Sequence, residues 1–212
     1  MLTIKRFAVN MMEENCYVVS DETSEAVVID CGAYFNEERQ AIVNYLNSQQ
    51  LKPMHLLATH GHFDHNFGND TIWRAFGLEP EVGENDLQLM DIQKQSMELL
   101  GVPYEHEVPP VGRLIANSNT ISFGNHSLLA IATPGHTPGS MTFYCEAEKI
   151  AFTGDTLFRM SIGRTDLPGG NWSHMTASLK LLAKLPAETT AYPGHGEPTT
   201  IGDELRYNPY MR

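Results

Sequence analysis

The chain of 212 residues is 42% hydrophobic and 19% charged, a balance that supplies a sizeable core and does not mark disorder. With 26 acidic residues against 14 basic ones the formal net charge is −12, and Lys and Arg are scattered singly, so nucleic acid and anionic membrane surfaces are repelled at long range. The three cysteines share no CxxC spacing, no run approaches the roughly 18 apolar residues of a membrane-spanning helix, and the first twenty residues lack a signal-peptide pattern, so a cytoplasmic chain with reduced thiols is expected.

In chain order, "TIKRFAV" (3–9), "NCYVVS" (15–20), "EAVVIDCG" (25–32) and "MHLLATH" (54–60) read as strands, being short, rich in apolar residues and bounded by turn chemistry. Between them, "NEERQAIVNYLNSQQ" (36–50) places Ile42, Val43 and Leu46 on one helical face, with Asn36 as a candidate N-cap. Residues 85–100 repeat the pattern with Leu89, Ile92, Met97 and Leu100, and Met90 and Met97 are expected to pack in the core. A loop over 101–114 crosses to a second half. There "TISFG" (120–124), "HSLLAIAT" (126–133) and a hairpin over 140–155 are strands, followed by a helix over 172–185 and a strand over 189–196. Two similar halves, each with strands and helices segregated, suggest one domain over 1–212 built from two packed sheets with helices outside.

The chemistry gathers where "THGHFDH" (59–65) follows the fourth strand. Three histidines and an aspartate within six positions, His60, His62, Asp64 and His65, form a pattern that suits Zn, Fe or Mn. His60 and His62 can approach one metal from a tight loop, while Asp64 and His65, turned the other way, approach a second. Three single residues follow other strands in matching turn contexts: His136 in "TPGHTPGS", Asp155 in "FTGDTLF" and His195 in "YPGHGEP". Residues just past strand ends meet at one rim of a layered fold. The expected assignment gives His60, His62 and His136 to the first metal, gives Asp64, His65 and His195 to the second, and lets Asp155 bridge; Asp64 and Asp155 are also the candidate catalytic carboxylates. His55, His106, His126 and His174 lack such company, His174 alone being kept as a possible pocket-lining residue.

Through "THGHFDH", "GHTPGS", "GDT" and "PGHG", in that order, the chain resembles the metallo-β-lactamase-fold hydrolases. "FTGDTLFRMSIGRTDLPGGN" (152–171) and "TTIGDELRYNP" (199–209) are similar to the short, glyoxalase II-like branch of hydroxyacylglutathione hydrolases. The resemblance implies an α+β architecture, an αβ/βα four-layer sandwich of two mixed sheets with helices outside. It further implies that Asp30 in "VVIDCG" orients a ligand loop by hydrogen bonds. Longer relatives contact glutathione from a C-terminal helical domain, and candidates to take over that role are Arg159, Arg164, Arg206 and Tyr207, although Asp166 can equally hold Arg164 as a loop clamp. The implied activity is hydrolysis of a small-molecule thioester by a hydroxide bridging two divalent metals, zinc foremost, with iron and manganese open. A thiolate leaves without prior protonation, which favours thioesters over β-lactams. The alternative is a persulfide dioxygenase of the same fold, with one iron on His60, His136 and Asp155. Oligomeric state is not read from the sequence.

Overall fold

The computed structural model describes residues 1–99 and 101–211; Leu100, expected on a helix face, lies outside the described residues. The first half lays down β1 (Thr3–Val9), β2 (Glu14–Ser20), β3 (Glu25–Ile29), β4 (Lys52–Leu57), β5 (Pro80–Gly83) and β6 (Arg113–Ile115), joined in that order into one sheet. The first three strands pair antiparallel and the rest parallel, so the sheet is mixed. The second half forms β7 (Thr120–Phe123), β8 (His126–Ala132), β9 (Met141–Cys145) and β10 (Ile150–Gly154), then a small hairpin of β11 (Leu157–Phe158) and β12 (Ser161–Ile162), and finally β13 (Thr190–Pro193) and β14 (Thr199–Thr200). Its main sheet runs β14-β13-β10-β9-β8-β7 and is also mixed, the β10–β13 pair being parallel.

Strand periodicity decides how these sheets stack. In β2 and β3, Tyr17, Val19, Val27 and Ile29 point into a core shared with Ile121, Phe123, Leu128, Phe143 and Phe152 of the second sheet. Their alternates Cys16, Val18, Ala26 and Val28 face the other way, onto Ile42 and Leu46 of α1 (Asn36–Ser48) and Ile72 of α2 (Asn69–Phe76). Behind the second sheet, Ala191 packs with Met175, Leu179 and Leu182 on helix Trp172–Leu182 and with Ile201 on helix Ile201–Tyr207. Helix, sheet, sheet, helix is the four-layer α+β sandwich expected. All three cysteines are free and buried, and no helix among the described residues is long and apolar enough to cross a membrane.

Several local expectations are corrected. Asn36 is the first helical residue, not the N-cap; Phe35 caps α1, and the Glu38 carboxylate accepts the Phe35 and Tyr34 N–H groups at 3.1 and 3.0 Å. The helix expected over 85–100 is broken into α3 (Leu87–Asp91) and α4 (Gln93–Leu99), which splits its apolar residues: Met90 and Met97 are buried as expected, while Leu89 and Ile92 remain half-exposed. The helices of the second half are thus α5 (Trp172–Leu182) and α6 (Ile201–Tyr207). Helices α2 and α6 and strands β5, β6, β11, β12 and β14 have no clear periodic signal because all are only two to eight residues long and are held by tertiary packing.

The two sheets meet at one rim through backbone bonds, Asn15 N–H to Gly194 O at 2.7 Å and Met141 N–H to Thr59 O at 2.8 Å. There the buried Tyr17 hydroxyl donates to Pro193 O at 2.7 Å. Asn15 Nδ2 also donates to that carbonyl at 3.0 Å, so Tyr17→Phe leaves it partnered. The expected destabilisation is therefore only about 1 kcal/mol, read from the denaturant midpoint at unchanged slope.

Candidate metal centre

All seven sequence-nominated donors follow strand ends at this rim: His60, His62, Asp64 and His65 after β4, His136 after β8, Asp155 after β10 and His195 after β13. Ligands of α/β sheets gather at such carboxyl ends. Asp30, immediately past β3, adopts φ +54°, a left-handed conformation that Asp tolerates better than most residues. Its Oδ1 accepts the Thr59 N–H at 2.6 Å, and its Oδ2 accepts the Thr59 hydroxyl at 2.7 Å and the His65 Nδ1–H at 3.0 Å. One carboxylate thereby fixes the start and the end of the ligand loop. Asn66 Nδ2 donates to the carbonyls of His60 and His62 at 3.1 and 2.7 Å, and Asn10 Nδ2 to that of Asp64 at 2.9 Å, holding the loop between.

The outer nitrogens of four imidazoles determine what the inner ones present. His65 Nδ1 faces Asp30; His136 Nδ1 faces Arg164 O at 2.8 Å, and His195 Nδ1 faces Met12 O at 3.0 Å. Each partner only accepts, so each Nδ1 is the donor. His60 Nδ1 meets the Thr59 hydroxyl at 3.1 Å, whose proton is committed to Asp30, and it too donates. In the neutral rings every Nε2 therefore carries a lone pair into the centre.

These nitrogens and His62 Nδ1 converge in two groups. His60 Nε2 and His62 Nδ1 lie 3.1 Å apart, and His62 Nδ1 and His136 Nε2 2.9 Å apart. Nitrogens bound tetrahedrally at 2.0–2.1 Å from one metal stand about 3.3 Å apart, so the spacing is close to that of a metal's ligands. In the second group His65 Nε2 and His195 Nε2 are 3.3 Å apart, with Asp64 Oδ2 at 3.7 and 3.4 Å from them. Asp155 Oδ2 sits between the groups, 3.5 Å from His136 Nε2 and 3.8 Å from His195 Nε2, and its buried Oδ1, 3.4 Å from His65 Nε2, has no hydrogen-bond partner. A buried carboxylate oxygen left without a donor, beside imidazole lone pairs aimed at one another, is a donor set that fits two divalent cations. Gly194 is required for the approach, since a Cβ there would come within 2.4 Å of Asp155 Oδ1 and 2.5 Å of His65 Cε1.

The electrostatics agree with this geometry. Burial and the neighbouring imidazoles hold His60 well below the usual histidine range, and burial, followed by His136, pushes His62 down to about 4. Burial opposes ionisation of Asp155 and Asp64, yet the surrounding histidines, His65 first, keep both carboxyls below their ordinary value. For His65 burial opposes the charge too, but Asp155, Asp64 and Asp30 outweigh it and raise the imidazole well above the usual range. The carboxylates thus favour positive charge beside them, on His65 and His195 or on a cation held in their place.

Sequence reasoning did not single out Asp86. Fully buried before α3, it accepts the Gly61 N–H and the Thr137 hydroxyl on Oδ2 at 2.8 and 2.6 Å and the Gly139 N–H on Oδ1 at 2.6 Å. It thus ties the loop bearing His60 and His62 to the loop bearing His136. Burial pushes its carboxyl up against the pull of those three donors. Nothing local distinguishes it from Glu84 or Asp91; only the packing of α3 across both loops gives it this role.

The family model of the metallo-beta-lactamase superfamily matches residues 11–195. The chain belongs to the metallo-beta-lactamase superfamily. It is similar to the hydroxyacylglutathione hydrolase GloC of Haemophilus influenzae, 30% identical over 212 residues that cover 99% of this chain and 98% of that protein. Among solved structures it is similar to the B3 metallo-beta-lactamase BLEG-1, with a TM-score of 0.89, 32% identity and 99% of each chain covered. It is also similar to ETHE1 from Myxococcus xanthus, with a TM-score of 0.78, 26% identity and coverage of 98% of this chain and 83% of that one.

The remaining nominated residues of this superfamily member lie elsewhere. Arg164 forms a bidentate pair with Asp166 at 2.7 and 2.8 Å, and its carbonyl, not its guanidinium, reaches the centre through His136. Arg159 lines a surface cavity with Thr190, Thr199 and Asp203, and Tyr207 ends α6 with the Arg206 guanidinium 5.7 Å from its ring. His174 lines a surface cavity beside Pro134 and Leu181, whereas His55, His106 and His126 stand against Glu81, Asp70 and Asp21. Asp30→Asn keeps a side chain that tolerates the left-handed turn but offers its bonding partners an amide in place of a carboxylate. It is expected to weaken metal affinity about tenfold, measured by competition with a chromophoric chelator.

Proposed function

We propose that this chain is a metal-dependent hydrolase that cleaves thioesters of the S-2-hydroxyacylglutathione type at a two-metal centre. The observation that carries the reading is the pair of three-donor groups with Asp155 between them. His60, His62 and His136 would hold one ion, Asp64, His65 and His195 the other, and Asp155 both. Zinc suits these borderline donors best, while iron and manganese are accommodated by the same set. Two such ions supply an ionised water at neutral pH and a Lewis acid for a carbonyl oxygen.

The chain's own residues prepare that chemistry. Asp64 and Asp155, kept ionised by the facing imidazoles, would hold cationic charge in place, and Asp30 and Asp86 fix the loops from which the candidate donors project. A thiol with a pKa of about 8.5 departs as thiolate without a proton donor, whereas a β-lactam nitrogen requires one. The likeness to the Haemophilus hydrolase supports a glutathione thioester. A second reading, a dioxygenase using one iron on His60, His136 and Asp155, is favoured by the likeness to ETHE1, but it leaves Asp64, His65 and His195 without a ligand role.

The test is metal analysis of protein purified without chelators, paired with thiol release from S-lactoylglutathione under anaerobic conditions. About two metals per chain with thiol release is the result expected of the two-metal reading. One iron per chain with oxygen consumption on glutathione persulfide and no thiol release would replace this reading with the dioxygenase, and cleavage of a cephalosporin alone would replace it with a lactamase.

A further inference from the structure

Helices α3 and α4 present two apolar stripes, and only one is used by the core. Met90, Gln93 and Met97 are buried, whereas Leu89, Ile92, Ser96 and Leu99, spaced as neighbours along a second helical stripe, line an open cleft together with Gln93, whose Nε2 donates to Met90 Sδ at 3.0 Å. The cleft measures about 320 Å³, and Phe63, Leu167 and Pro168 line it as well. That volume is at the lower end of small-molecule sites. Its lining also includes Gly61 and His62, so it is continuous with the metal centre. Gly61 is what lets α3 come so near: a Cβ at that position would lie 2.7 Å from Leu89 Cβ.

Among the described residues no Asp, Glu, Lys or Arg side chain lines this cleft. A carrier thiol such as glutathione bears two carboxylates and an ammonium group, and burying them beside Phe63, Leu89, Ile92 and Leu167, where the polar side chains of the lining are Gln93, Ser96 and His62 and none is an acid, a lysine or an arginine, would be unfavourable. An apolar acyl chain loses nothing there and gains by leaving water. We infer that the cleft receives the acyl side of the thioester, and that the preferred substrates carry an apolar chain beyond the carbon next to the carbonyl, not the short lactoyl group. This rests on the thioester-hydrolase reading and sharpens it. Phe63, Leu89, Ile92 and Leu167 are then specificity-determining residues, none of them a candidate metal donor.

The experiment is a chain-length series, acetyl-, butanoyl- and hexanoylglutathione, on the metal-loaded wild type and on Ile92→Asn and Leu167→Asn, accompanied by calorimetry with the uncleavable S-ethyl-, S-butyl- and S-hexylglutathione. In the wild type kcat/KM rises by up to about fourfold per added methylene until the cleft is full, and in both variants the rise flattens while acetylglutathione is still cleaved at a rate within about twofold. A flat wild-type series, or an unchanged slope in both variants, with acetylglutathione cleaved, overturns the cleft assignment and leaves the hydrolase reading standing. If none of the three is cleaved, S-lactoylglutathione run beside them decides the hydrolase reading, which fails if it too is untouched, and the thioethers decide the cleft: affinity that tightens with chain length in the wild type and not in the variants upholds it as an apolar-chain site, and affinity independent of chain length overturns it.

Discussion

Asp155→Ala is expected to reduce metal content from about two ions per chain to one or fewer and to lower thioester hydrolysis by on the order of 10³-fold, the upper end of what loss of one electrostatic group costs. The reason lies in position. Each three-donor group keeps its own imidazoles, but Asp155 alone lies between them, with Oδ2 3.5 Å from His136 Nε2 and 3.8 Å from His195 Nε2. In the two-metal reading, removing it would take away the shared donor and one of the two acidic donors that would offset cationic charge in a buried setting. Metal per chain by mass spectrometry and kcat/KM on the same preparation measure both effects. A variant that still binds two metals and hydrolyses at the wild-type rate would show that Asp155 bridges nothing. The fold itself should survive, since the Asp155 Oδ1 makes no hydrogen bond in the structure and the side chain stands at a strand end.

Asp86→Ala is the second large effect, and it acts at a distance from the donors. Three groups, Gly61 N–H, Thr137 Oγ1–H and Gly139 N–H, lose their acceptor in a buried setting. Bonds to a charged acceptor contribute about 1.5–3 kcal/mol each and are not additive, so a total loss of about 3–5 kcal/mol is expected, seen as a lowered denaturant midpoint. Because the same carboxylate fixes the loops of His62 and His136, metal affinity should fall by up to about 100-fold. Asp86→Asn, which preserves the size of the side chain and one acceptor oxygen, should recover part of the stability. An Asp86→Ala protein with wild-type metal affinity would mean that the two loops hold each other without it.

The candidate donors were legible in the sequence because metal chemistry restricts residue type and because each of them sits in a recognisable context. Four lie in "THGHFDH", and His136, Asp155 and His195 each follow an apolar run and a glycine. The strands around them were legible as short apolar runs bounded by turn residues: Tyr17 and Val19 face one core and Cys16 and Val18 the other, and a strand covered on both faces reads as a continuous apolar run. Asp30 entered only through a likeness to known proteins, since an aspartate after a strand is by itself a turn residue. Arg164 was equally readable as a substrate contact or a clamp; its bidentate pair with Asp166 occupies the guanidinium in the structure.

What escaped the sequence depends on contacts between distant segments. Asp86 resembles any acidic residue near a helix start until α3 is laid across Gly61 and Gly139. The apolar residues of 85–100 read as one buried face, whereas the break at Ile92 divides those that are described, 85–99, between the core and the cleft. Short elements such as β5, β6 and α2 are too brief to outlast their own entropy cost in isolation and are fixed by their neighbours. The sequence by itself determined the kinds of atom available for a metal centre and the layers that would carry them, because donor chemistry and hydrophobic period are written locally. Only the tertiary structure decided which nitrogen of each imidazole faces inward, which carboxylate stands between the two groups and which apolar residues are left to meet a ligand, because these depend on partners as far apart in the chain as His65 and His195.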